Sequence, residues 1–94
     1  MIVRYTDIAL AEIDEILAYL AERSPQGAAN VRRAIENAVL RLEEQPHSGR
    51  QTEISGVRLT KTARYPYLIF HSVTEAELAI LHIRHGTRLW PEKF

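Results

Sequence analysis

Four histidines (His47, His71, His82 and His85) are the residues best suited to proton transfer or metal ligation, and no cysteine is present to join them. His82 and His85 stand three apart in a stretch that reads as a β-strand, so they point to opposite faces and do not share an ion. No carboxylate lies at ligand spacing beside them, and no helical HExxH pattern occurs. His71 and His82 fit cross-strand neighbours, but two imidazoles alone make a poor site, so no metal is expected. Ser48, Ser55 and Ser72 have neither a nucleophile elbow nor a triad context. With no GxGxxG and no P-loop, no nucleotide cofactor is expected either. One chemistry stays open: RNA cleavage by attack of the 2′-hydroxyl, which needs a base, cations for the developing charge and an acid. Arg58, Arg64, Arg84 and Arg88, with His82 and His85, offer the cations. Arginine does not exchange protons at neutral pH, so histidine or tyrosine would have to move them.

The elements that must position these groups are readable in order. Ile2 to Tyr5 is a short β-prone start, and Thr6 or Asp7 is a credible N-cap. From Ile8 to Ala21, Ala9, Ile13, Ile16, Leu17 and Leu20 recur at helical spacing, with Glu12, Asp14, Glu15 and Glu22 largely off that stripe. Ser24-Pro25 then reads as an N-cap with proline at the first helical position. A second helix is expected to about Glu44, with Val31, Ile35, Ala38, Val39 and Leu42 on one face. The short Glu22–Ser24 connection makes the pair an antiparallel hairpin. After Pro46-His47-Ser48-Gly49 a loop is expected to about Gly56, where the period changes from 3.6 to 2. Val57–Ala63, Tyr67–Val73 and Leu78–His85 read as strands, the last two joined in a hairpin near Thr74-Glu75-Ala76.

Alternation along these strands sorts their faces. It predicts that Leu68, Phe70, Ala79, Leu81 and Ile83 face the helices, in a core shared with Ile13, Ile16, Leu20, Ile35 and Leu42. It leaves Tyr67, Ile69, His71, Leu78, Ile80, His82 and Arg84 on the other face, with Arg58 beside them. Two helices cover one side of a sheet, so that outer face reads as a partner site.

The 94 residues suit a single domain spanning 1–94. At 46% hydrophobic and 26% charged the composition is that of a globular chain rather than a disordered one. No apolar run reaches the ~18 residues of a membrane span, and Met1 leads straight into folded-looking sequence without a signal peptide. The absence of cysteine fits a reducing cytoplasm. Formal net charge is zero, which argues against a dedicated nucleic-acid binder. The halves differ, however: residues 1–47 carry five basic and eight acidic side chains, −3, and residues 48–94 carry seven and four, +3. An anionic partner should therefore meet the C-terminal half, unless the segregation is chance.

Together these features resemble the RelE/ParE superfamily of toxins from bacterial type II toxin–antitoxin systems. Thr6, Ala9, Glu12, Ile13, Ile16, Tyr19 and Leu20 are similar to its first helix. Ala29, Ile35, Ala38, Leu42, Pro46, Gly49 and Arg50 are similar to its second helix and the P-x-x-G-R loop after it. Tyr67-Leu68-Ile69-Phe70 with the run from Ile80 to Arg88 is similar to its closing hairpin, the most specific piece. The resemblance implies an α+β fold, β-α-α-β-β-β, with a helix hairpin packed on one face of an antiparallel sheet.

It also implies one of two activities. RelE-like members cleave mRNA on the ribosome, whereas ParE-like members poison DNA gyrase. For the RelE-like chemistry, Arg58 and Arg88 match basic positions and His85 could join them. Thr60 stands where a lysine is expected, Tyr67 where a phosphate-binding arginine belongs, and Phe94 near a tyrosine whose hydroxyl it lacks. Three of five roles are thus changed, and the loop and the H-G-x-R ending are more like ParE. The expectation is a ParE-like toxin without cofactor, neutralised in a hetero-oligomer by an antitoxin encoded beside it. Arg84, His85, Arg88 and Trp90 are the expected target contacts. Arg58, Tyr67, Ile69, Leu78, Ile80, His82 and Arg84 are the expected antitoxin face. A non-toxic binding module of the same fold is the remaining alternative.

Overall fold

A computed structural model describes residues 1–86. In chain order the elements are β1 (Ile2–Tyr5), α1 (Asp7–Arg23), α2 (Pro25–Glu44), β2 (Arg50–Gln51), β3 (Arg58–Lys61), β4 (Tyr67–Val73) and β5 (Glu77–His85). Thr6 settles the start of α1: its hydroxyl oxygen accepts from the Ala9 N–H at 3.0 Å and donates to the Leu81 carbonyl at 2.8 Å. One side chain thus caps a helix and ties it to a strand. Ser24 alone joins the helices, ending α1 through its backbone N–H and capping α2 by accepting from the Gly27 N–H at 3.0 Å. Pro25 follows at the first helical position, where the missing N–H costs nothing.

The two helices pack on one face of a five-stranded sheet of order β1-β5-β4-β3-β2. The β-α-α-β-β-β arrangement is as expected, with two additions. β1 runs parallel to β5 while the other pairs are antiparallel, so the sheet is mixed. The expected loop also contributes β2, which pairs Arg50 with Leu59 and Gln51 with Arg58. Gly49, at φ +91°, brings this loop onto the sheet. A Cβ there would lie 2.8 Å from the Leu59 carbonyl oxygen and 2.6 Å from Thr60 Oγ1, and the positive φ itself favours glycine.

In β3, β4 and β5 as far as Ile80 the faces of the sheet are the reverse of those expected, whereas Ile83, beyond a bulge, lies under the helices as expected. Tyr67, Ile69, Leu78, Ile80 and Ile83 lie with Ala9, Val31, Ile35, Ala38, Val39 and Leu42 in the core under the helices. Val57, Leu59, Leu68 and Phe70, with half-buried Leu81, form a second cluster on the opposite face. Two causes are visible. In β4 the residues from Tyr67 to His71 are all buried, so alternation gives no sign of which row meets the helices. In β5 the register slips: His71 pairs with Ile80 but Phe70 pairs with His82, leaving Leu81 as an extra residue. The bulge puts Leu78 and Ile80 on the same side as Ile83, which strict alternation separates.

The exposed apolar docking face expected from Tyr67, Ile69, Leu78, Ile80 and His82 is therefore corrected. Ile69, Leu78 and Ile80 are wholly buried, and Tyr67 and His82 nearly so. Arg58 and Arg84, also expected on that face, keep partial access to solvent. Of the expected core, Ile35, Leu42 and Ile83 are buried beneath the helices, and Ile13, Ile16 and Leu20 pack at its edge. Leu68, Phe70 and Leu81 belong to the second cluster.

Candidate functional site

β1 ends at Tyr5, whose partner is Ile80, so β5 continues beyond the strand that covers its edge. α1 starts immediately and brings Glu12 alongside the uncovered part. Glu12 Oε1 accepts from the Ile83 backbone N–H at 3.0 Å and from His82 Nδ1 at 3.1 Å. Its Oε2 faces the Arg84 guanidinium at 3.4 Å. A carboxylate does here what a neighbouring strand would do, satisfying a backbone donor that burial would otherwise orphan. It also fixes His82, which is almost entirely buried and carries its Nδ1 proton toward the carboxylate. Glu12 was visible as part of a helix pattern, but its partners are some seventy positions away, beyond the reach of any local signal.

Between α1 and the ends of β4 and β5 lies an open concavity of about 490 Å³. Tyr67 and Ile83 form its floor, Ile16 and Tyr19 its helical wall, and Glu12, Glu15, Arg84 and His85 its charged and polar rim. Tyr67 meets the edge of His85, ring centroids 5.5 Å apart and planes at 87°. Burial, with a smaller contribution from Tyr19, raises the Tyr67 hydroxyl above its ordinary pKa, so it is a neutral hydrogen-bonding group. Tyr19 is exposed, and the Arg23 guanidinium sits 3.6 Å over its ring. An aromatic floor and wall with a rim of both signs is suited to an amphipathic peptide surface rather than to a small anion.

The other expected groups are dispersed. His71 is wholly buried, with Nε2 2.9 Å from Thr60 Oγ1, and its Nδ1 has no hydrogen-bond partner among the described residues. Burial, then the charge of Arg58, lowers its pKa to about 4, so it is neutral at physiological pH. Arg58 donates to the Gly49 carbonyl at 3.1 Å and pairs in register with His71. His85 pairs with Tyr67, four residues along β4, which sets it ~13 Å from the Arg58 end of the sheet. Arg58 and His85 thus do not converge, and Arg88, Trp90 and Phe94 lie outside the described residues. Among the described residues no group of three His, Asp or Glu side chains could hold a metal, and no helix is long and apolar enough to cross a membrane. The structure brings together Arg84, His85 and Tyr67 of the expected set. It adds Glu12, Glu15 and Tyr19, which sequence reasoning had not placed there.

Residues 3–90 match the family described as the ParE toxin of type II toxin-antitoxin system, parDE. The chain belongs to the ParE toxin family. This ParE-family chain is 37% identical over 90 residues to a curated protein of Sinorhizobium fredii named "Putative toxin Y4kP", covering 96% of the chain and 93% of that relative. A solved structure described as the chromosomal ParDE TA system from P. aeruginosa superposes with a TM-score of 0.77 at 28% identity, over 90% of this chain and 95% of that one. The residues matched by the family, 3–90, include every residue that lines the concavity.

Proposed function

We propose that this ParE-family toxin acts by binding DNA gyrase, without chemistry on a nucleic acid, and is neutralised by an antitoxin encoded beside it. The observation that carries the reading is the state of the proton-transfer groups. His82 is held by Glu12, His71 is buried and neutral, and Arg58 and His85 stand at opposite ends of β4. A nuclease needs its acid, base and cations around one phosphate, and the described residues do not gather them.

The concavity beside α1 supplies a binding surface instead. Arg84 and His85, with Tyr67 and Tyr19, are its target contacts, and Arg88 and Trp90 extend the set in sequence. The antitoxin partner is supported by the family and by the P. aeruginosa relative, described as a ParDE system. The complex is a hetero-oligomer acting in the cytoplasm. Induced expression should arrest growth while cellular mRNA stays intact, and co-expression of the adjacent small reading frame should restore growth. Ribosome-dependent cleavage of mRNA by the purified protein, abolished by Arg88→Ala, would refute the reading in favour of the RelE-like one.

A further inference from the structure

One face of α2 carries Asn30, Arg33, Asn37 and Arg41, at spacings of three and four, which keep them in one row that Glu44 ends and Glu36 flanks. Beside the row, the turn between β3 and β4 adds Arg64, and the small side chains of Ala34 and Ala63 leave a concavity of about 350 Å³ between them. Among the described residues none of the three arginines is paired with a carboxylate. Asn30 is already oriented, its side-chain carbonyl accepting from Arg33 at 2.7 Å and from Gln26 at 2.9 Å. Arg64 has φ +71°, the one non-glycine residue with positive φ among those described. Glycine or asparagine would take that conformation at less cost.

We propose that this arginine row is a docking site for an acidic helical segment of the antitoxin, an inference that rests on the antitoxin reading above. Arg33 and Arg41 are eight residues apart on one helix, a rise of ~12 Å. A helix lying along α2 repeats that rise and can offer carboxylates eight residues apart to two guanidinium forks, each suited to bidentate pairing. Asn37 lies midway and Arg64 opposite, where they can meet the groups between. Nucleic acid fits less well. Glu36, Glu43 and Glu44 stand on the same helix, the formal net charge is zero, and a duplex carries one phosphate charge per ~1.7 Å.

The test uses the full chain and three fluorescent probes. Two are alanine-based helical peptides, one carrying glutamates eight residues apart and one with glutamines in their place, and the third is a short DNA duplex. The glutamate peptide should bind about ten-fold more tightly than the glutamine peptide. That preference should vanish in Arg33→Glu/Arg41→Glu with the thermal midpoint unchanged, and should be reduced but present in Arg33→Lys/Arg41→Lys. Equal binding of the two peptides, or a preference that survives charge reversal, would overturn the proposal. Tighter binding of the duplex, lost on charge reversal, would overturn it in favour of nucleic acid. The peptides contain no antitoxin sequence, so failure here leaves the growth-arrest test untouched, and failure there leaves this one untouched.

Discussion

At the scale of single residues, the half-buried Glu12 and the buried His71 carry the clearest predictions. Glu12 satisfies the Ile83 N–H and His82 together. Glu12→Ala should therefore destabilise the fold by ~2–4 kcal/mol, since it strands a buried donor and a buried imidazole. Glu12→Gln, which can still accept from the backbone, should cost about half as much; urea unfolding would measure both. His71 gives a pH signature. Its folded pKa, lowered to about 4, lies below the ~6.5 of an unfolded histidine. The unfolded state thus takes up the proton first as pH falls. The stability contributed by neutral His71 is complete above ~6.5 and is lost progressively down to about 4, a loss of ~2–3 kcal/mol. In His71→Gln the fall in urea midpoint between pH 7 and pH 4.5 should be visibly smaller than in the parent chain. An identical fall in both would show that His71 is not the titrating group.

At the scale of elements, the structure shows which signals are local and which are not. Thr6 and Ser24-Pro25 announce both helix starts because capping is settled within three residues. The strands are legible from their period, but their faces are not. A bulge at Leu81 is invisible to alternation, and a strand buried on both sides has no polar row to orient it. The parallel β1–β5 pair is equally hidden, since it joins the two ends of the described chain. This inversion predicts a reversal in mutational cost. Ile80→Ala, at a wholly buried position beneath the helices, should cost ~2–5 kcal/mol. Leu81→Ala, in the half-buried bulge, should cost about 1–2 kcal/mol. Thermal or urea unfolding showing the opposite order would restore the strictly alternating assignment.

At the scale of the whole molecule, a neutral formal charge conceals surfaces of different character. The cleft beside α1 has a rim of both signs, whereas the far side of α2 is an arginine row. Arg84 and His85 were legible as part of a visibly basic C-terminal half, and the structure sets both on the rim of the cleft. Tyr19 was legible only as part of a helix pattern, since its place on the cleft depends on how α1 crosses β5. Its exposure makes it the cleanest probe of the cleft, because its loss removes little from the core. The measurement that tests the central claim most directly is the supercoiling of relaxed plasmid by purified gyrase in the presence of the purified toxin. Supercoiling should be inhibited by the parent chain and inhibited several-fold more weakly by Tyr19→Ala, whose melting temperature should match that of the parent. Full supercoiling at a large excess of the parent chain over gyrase would contradict the account.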